Sequence, residues 1–244
     1  MNPRQFASPL LVLAFSLTQA GPVAAAEPRL EGDIGLGAMR SQTQTFGVQP
    51  KTEALPYLNF EYGLVFARID SFGIKAFPLG YGHVELVGQY RGDGYDSSVL
   101  SRRRDSLPLG LGTLQITPIG AFGLQVLHDL GKSGGNLVQA RYLAELPLGR
   151  VTVYPELGAE YQSRAYTGYY RGTSNADAAA LGQAYQPGSA LNPYIGAMVE
   201  ARLVDRWYLD AYVRRTFADD SIARSPLVVK AHVSSLLLAV SYRF

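Results

Sequence analysis

Cysteine is absent from the 244 residues, which excludes disulfide scaffolds and cysteine-ligated metal centres. Charge is scarce: 17% of residues are Asp, Glu, Lys or Arg, against about 25% in soluble domains. Lysine nearly disappears, four against eighteen arginines, and the formal net charge is only +2. That small charge is spread evenly, which argues against a nucleic-acid partner. The three histidines show no metal-ligand spacing. Beyond the N-terminus no run reaches the roughly 18 apolar residues a membrane helix needs, and a mean hydropathy of +0.01 is too polar for a helical membrane protein. In place of these, the chain holds 26 glycines, 16 tyrosines and 47% hydrophobic residues, too rich in apolar and aromatic side chains for disorder.

The N-terminus reads as a targeting segment. Arg4 supplies a positive charge, Leu10 to Leu17 a short apolar core, and Ala24-Ala25-Ala26 the small residues of a cleavage site. We expect a secretory signal peptide over 1–26, cleaved after Ala26, and a mature domain over 27–244. A membrane anchor is the competing reading, but the apolar core is too short to span and breaks at Gly21-Pro22.

Period 2 governs the mature chain. Near the end, Leu236, Leu238, Val240, Tyr242 and Phe244 share one face, while Ser241 and Arg243 lie on the other. Trp207, Leu209, Ala211 and Val213 oppose Tyr208, Asp210, Tyr212 and Arg214 in the same way. The charges fall on one alternating set: Glu61, Arg68, Glu85, Arg91, Arg141, Glu145, Glu156, Glu160, Glu200, Arg202, Asp210, Arg214 and Arg243. In a sandwich that face would meet water; in a membrane barrel it would meet the lumen, with the apolar face toward lipid.

Loop lengths decide between the two. Twelve strand candidates fall near 30–38, 54–62, 64–70, 72–78, 83–91, 107–117, 119–129, 137–146, 151–161, 191–203, 206–217 and 232–244. Long connections at 39–53, 92–106, 130–136, 162–190 and 218–231 alternate with tight ones at Gly63, Leu79 to Gly82, Pro118, Pro147 to Arg150 and Val204-Asp205. This sorting is expected of an all-β, transmembrane, antiparallel up-and-down β-barrel with about 12 strands. If the weak pair at 64–70 and 72–78 is a single bent strand or loop, the count is ten. An even count places both termini on the short-turn, periplasmic side. The only helix-prone stretch, Ala176 to Ala180, lies in the longest loop. A lumen set of both signs, interspersed with tyrosines, suits a paired network filling a narrow bore better than a wide aqueous pore.

A C-terminal phenylalanine preceded at alternate positions by Tyr242, Val240, Leu238 and Leu236 resembles the insertion signal of bacterial outer-membrane proteins. That implies recognition by the barrel-assembly machinery. The whole mature chain also resembles the MipA/OmpV family, the MltA-interacting proteins. The matching features are Gly35-Leu36-Gly37, Leu55-Pro56-Tyr57, Tyr169-Tyr170-Arg171-Gly172, Tyr185, Asn192-Pro193-Tyr194, Ser225-Pro226-Leu227-Val228 and Ser241-Tyr242-Arg243-Phe244. Arg171 before Gly172 departs from the family's usual Tyr-Tyr/Phe-Gly-Val. The resemblance implies a Gram-negative outer-membrane barrel without catalysis, acting as a scaffold between a lytic murein transglycosylase and a penicillin-binding protein. Other members are linked to adhesion, to osmotic or antibiotic response, and to uptake, so a narrow channel for small solutes or an outward-facing adhesion or stress-response barrel is the alternative.

No catalytic, cofactor-binding or metal site is expected, and no cofactor. His128-Asp129 is the best base-and-orienter candidate, but adjacent strand residues point to opposite faces. Lys132-Ser133-Gly134-Gly135 has the wrong order for a phosphate loop and reads as a hairpin. Arg102-Arg103-Arg104, in an extracellular loop, could contact lipopolysaccharide phosphates or be a solvated run beside Asp105. Outer-membrane lipid and lipopolysaccharide are the expected surroundings.

Overall fold

The computed structural model describes residues 28–244; the expected signal peptide lies outside the described residues. Alternation becomes strand throughout. The strands are β1 (Leu30–Ser41), β2 (Lys51–Tyr62), β3 (Val65–Arg68), β4 (Ser71–Leu79), β5 (Gly82–Gly88), β6 (Pro108–Thr117), β7 (Gly120–Asp129), β8 (Asn136–Leu143), β9 (Leu146–Leu148), β10 (Val151–Gln162), β11 (Ala190–Val204), β12 (Trp207–Phe217) and β13 (His232–Arg243). Each pairs antiparallel with its neighbour, and β1 pairs with β13 from Asp33↔Arg243 to Ser41↔Ser235, closing the ring. No helix among the described residues is long and apolar enough to cross a membrane.

β8 and β9 form one interrupted stave on β10. The break at Ala144-Glu145 falls opposite Pro155, where the Ala144 amide donates to the Pro155 carbonyl at 3.0 Å. The barrel therefore has twelve staves, as expected. The weak pair near Ser71 is real: β3 and β4 are separate strands joined at Ile69-Asp70. That connection is the one short link on the long-loop side.

The loops sort by end. Tight turns at Gly63-Leu64, Gly80-Tyr81, Pro118-Ile119, Gly149-Arg150 and Asp205-Arg206 crowd one rim. Two residues are joined at 149–150, where Gly149 has φ +71°, a conformation that suits a tight hairpin and costs glycine little. The other rim carries 42–50, 89–107, 130–135, 163–189 and 218–231. The 163–189 loop folds into two helices, α1 (Arg164–Arg171) and α2 (Asn175–Leu181). α2 covers the anticipated Ala176–Ala180 stretch. A capping box between Ser174 and Asp177 starts it and Gly182, at φ +71°, ends it. α1 was not anticipated, since its tyrosines and Gly168 are poor helix formers; burial of its aromatic side holds it instead. A last short helix, α3 (Asp220–Ala223), lies in the 218–231 loop.

The exterior is apolar: Leu36, Leu86, Leu111, Val126, Leu157, Ile195 and Leu238 are all exposed, as lipid-facing residues must be. At the short-turn rim Trp207, Tyr242 and Phe244 stack edge-on with centroids 5.4 and 5.5 Å apart, an interfacial aromatic belt.

Candidate functional site: the filled lumen and its mouths

Inward alternation delivers the charges to the lumen, where they pair in layers. Nearest the short-turn rim, the register puts Asp33 opposite Arg243. The guanidinium grips that carboxylate twice, at 2.7 and 2.8 Å, and reaches Glu200 at 3.0 Å. It also lies 3.9 Å over the Tyr208 ring. Beside it the Ser241 hydroxyl donates to Asp210 at 2.5 Å.

One layer up, Glu156 accepts from Arg214 at 3.1 Å and from the Tyr212 hydroxyl at 2.5 Å. Asp70, at the tip of the β3–β4 turn, bridges Arg141 at 3.1 Å and Arg214 at 3.8 Å. On the adjacent wall Arg68 forks onto Glu85 at 2.7 and 2.8 Å, and Glu61 pairs with both Arg68 and Lys75. Higher again, Gln89 donates to Gln125 at 2.7 Å, and Arg91 holds Glu160 and Asp93. Buried ions persist only when paired and hydrogen-bonded, and here most carboxylates and guanidiniums supply each other across strands, while buried Asp210 has the Ser241 hydroxyl in place of a cation.

α1 closes the top. Tyr166 and Tyr170 are each 1% exposed and pack on Phe66, Val87, Leu127 and Leu137, all inward-facing. The Tyr166 hydroxyl donates to Asp93 at 2.5 Å, and that of Tyr170 to the Arg104 carbonyl at 3.0 Å. Burial would raise the Asp93 carboxyl, but Arg91 and the Tyr166 hydroxyl hold it below its ordinary value.

The lower mouth stays open. A cavity of about 530 Å³ is lined by Glu31, Asp33, Asn59, Glu200, Arg243 and their neighbours, and a second of about 290 Å³ by Arg202, Asp205, Arg206 and Tyr208. The rim around them is polarised. The turn tips Leu64, Tyr81 and Ile119 are 63%, 70% and 71% exposed, whereas the turns at 149–150 and 205–206 present arginine.

Most of the anticipated lumen set therefore meets in paired clusters along the bore. Glu145 does not: it sits exposed at the β8–β9 break. Arg202 is exposed too, donating to the Asp205 carbonyl at 2.9 Å. Sequence reasoning missed Asp33 and Lys75, although both alternate correctly with lumen glycines (Gly35 and Gly73). Asp70 carried no periodic signal because it lies in a turn. His128 and Asp129 part as expected: His128 Nδ1 meets Asn136 at 2.8 Å, while Asp129 is buried and accepts from the Leu107 and Gly131 amides. Ser133 caps Asp129, making 130–135 a hairpin loop. The arginine triplet divides. Arg102 is solvated, but Arg103 is partly buried, bonding the Tyr169 carbonyl at 2.7 Å and Asp177 at 2.8 Å. Asp105 accepts from the Tyr90 hydroxyl.

A closed twelve-stave ring with a lipid-facing apolar exterior, an aromatic belt and loops sorted by end is a β-barrel of the Gram-negative outer membrane. Residues 34–244 match the family model described as MltA-interacting protein MipA, and the chain belongs to that family. It is 22% identical over 249 residues to the MltA-interacting protein of Escherichia coli (strain K12), covering 96% of this chain and 98% of that one. It is 29% identical over 198 residues to outer membrane protein Omp26La of Vibrio anguillarum, covering 77% of each. Among solved structures, Ail, the attachment invasion locus protein of Yersinia pestis, aligns with a TM-score of 0.26 and 13% identity, covering 90% of this chain and 100% of that one. Family and fold are those of an outer-membrane barrel protein.

Proposed function

We propose that this barrel is a scaffold, recruiting from its periplasmic rim a lytic murein transglycosylase and, with it, a penicillin-binding protein. The observation that carries the reading is the occupied lumen. Arg243–Asp33, Arg214–Glu156–Asp70 and the α1 stopper stand one above another along the bore. A solute path needs continuous water, and the paired layers leave the rims as the working surfaces. The name of the Escherichia coli relative supports a transglycosylase as the partner. The open lower mouth, bordered by apolar turn tips and arginines, offers such a partner both kinds of contact.

Crosslinking in native outer membranes, followed by mass spectrometry of proteins captured with the barrel, tests this. A murein transglycosylase or synthase is expected among them. Conductance steps in a planar bilayer without any such capture would replace the scaffold with a narrow channel.

A further inference from the structure

The barrel wall has a gap on its long-loop half. β2 pairs with β1 along its full length, from Leu30↔Tyr62 to Ser41↔Lys51. On its other side it pairs with β3 only at Phe60, Glu61 and Tyr62, because β3 is four residues long. From Lys51 to Asn59 that edge has no backbone partner among the described residues. Below the gap sits the Ile69-Asp70 turn. Across it runs the arm Gln89–Tyr95, whose amides at Gln89, Arg91 and Tyr95 bond their own return arm at Pro108, Ser106 and Arg103. Above it Val48 packs on Tyr95, Leu100 and Leu227, joining the 42–50 and 89–107 loops. The gap is thus a window, framed on all sides.

Pro56 fixes which groups face it. Proline has no N–H and is tolerated in sheets where that position needs no ladder bond. The β1–β2 register runs past Leu36↔Pro56 without a shift, so the Pro56 nitrogen faces the window. Alternation then turns the amides of Thr52, Ala54 and Leu58 and the carbonyls of Thr52, Ala54, Pro56 and Leu58 the same way; Phe60, next in that series, is the first of the residues that pair with β3. Their side chains point to lipid. In hydrocarbon each such unmet group is strongly unfavourable, so something that hydrogen-bonds must stand there. The carbonyls need donors. Ester-linked diacyl lipids have none at their acyl junctions, whereas amide-linked, hydroxylated acyl chains have both donors and acceptors. On the lipid face beside this edge, exposed Arg40 stands opposite Thr52, placed for a phosphate.

We propose that the window is a lateral binding slot for an outer-leaflet phosphoglycolipid, its amide and hydroxyl groups completing the β2 edge and a phosphate resting on Arg40. The slot is independent of the scaffold reading. Because the chain has no cysteine, Ala54→Cys gives a single site for a bimane label on the outer side of the slot, and Leu209→Cys gives one on an ordinary paired stave.

Labelled protein is reconstituted in phosphatidylcholine vesicles alone, with lipid A, or with phosphatidylglycerol, and aqueous iodide quenching is read after a heat-shift gel has verified folding. The label at position 54 is expected to be quenched in phosphatidylcholine and with phosphatidylglycerol, to lose quenching with lipid A, and to regain it when Arg40→Glu is added. The label at 209 is protected throughout. Protection at 54 in every vesicle would mean a sealed wall, and quenching in every vesicle a water-filled slot without lipid. Equal protection by phosphatidylglycerol would mean charge capture alone. Any of the three overturns the proposal.

Discussion

Arg103 and Asp177 stand 74 residues apart in sequence, yet a guanidinium nitrogen of one lies 2.8 Å from a carboxylate oxygen of the other. Asp177 is buried and Arg103 partly so, and the pair ties the 89–107 loop to α2. Asp177 also accepts from the Ser101 and Ser174 amides. Burial alone would raise its carboxyl, but these hydrogen bonds outweigh it and hold the group well below the usual carboxylate range.

A depressed folded-state pKa gives stability that is full above the unfolded value near about 4 and is lost as pH falls through the folded value. Protease resistance of the 163–189 loop should therefore be flat from neutral pH down to about pH 5 and decline only below about pH 4. Asp177→Ala should expose the loop at every pH, since it removes the anion facing Arg103 and leaves the Ser101 and Ser174 amides without their acceptor, a loss of roughly 1–3 kcal/mol per unmet group. Limited proteolysis of the reconstituted barrel checks both.

The lumen layers act in series. Deleting α1 should leave a planar bilayer silent, because Arg141, Asp70, Arg214 and Glu156 still close the bore beneath it. Arg214→Ala, which strands Glu156 against Tyr212, should lower stability by roughly 3–5 kcal/mol, read as an earlier loss of the folded band on heated gels. Steps of conductance from the α1 deletion alone would show that the lower layers are penetrable.

Phe244 belongs to the Trp207–Tyr242–Phe244 belt, and its amide donates to the Gly32 carbonyl across the β1–β13 seam at 3.0 Å. Deleting it, or making Phe244→Asp, should reduce assembled barrel without changing export, measured by fractionation and heat-shift gels. Unchanged membrane levels would count against a terminal assembly signal.

Partner capture should depend on the lower rim. Recoding Leu79 to Gly82, Pro147 to Arg150 and Val204 to Arg206 together should abolish transglycosylase capture, since a stable interface needs about 800 Å² per partner and no single turn provides it. Shortening the 163–189 loop to a four-residue turn should leave capture intact. The reverse pattern would assign the barrel an outward-facing role.

The staves were legible because lipid and lumen impose opposite demands on alternate residues: Leu236, Leu238 and Val240 against Ser241 and Arg243 state a strand and its orientation together. The lumen network was legible for the same reason, down to Glu156, Glu200 and Arg214. Features set by tertiary contact were not. α1 is held by Tyr166 and Tyr170 against Phe66 and Leu137, residues that local propensity does not connect. Arg103 reads in sequence as one of three loop arginines, and only the fold shows that its neighbours face water while it bonds Asp177. Pro56 did carry a signal, a proline inside an otherwise regular strand, but its meaning needed the length of β3.

The seam between β1 and β13 also governs the order of events in biogenesis. Asp33 and Arg243 are 210 residues apart, so the clasp that seals the ring joins the first stave to the last. Ordering so long a span precedes any gain from the contact. Until Arg243 arrives, each partly built sheet presents two unpaired margins, the condition under which strands associate with the wrong chain. A permuted chain opened within 163–189, with the native ends joined, would move that final step to β10 and β11 and leave the β1–β13 pairing an early, local hairpin.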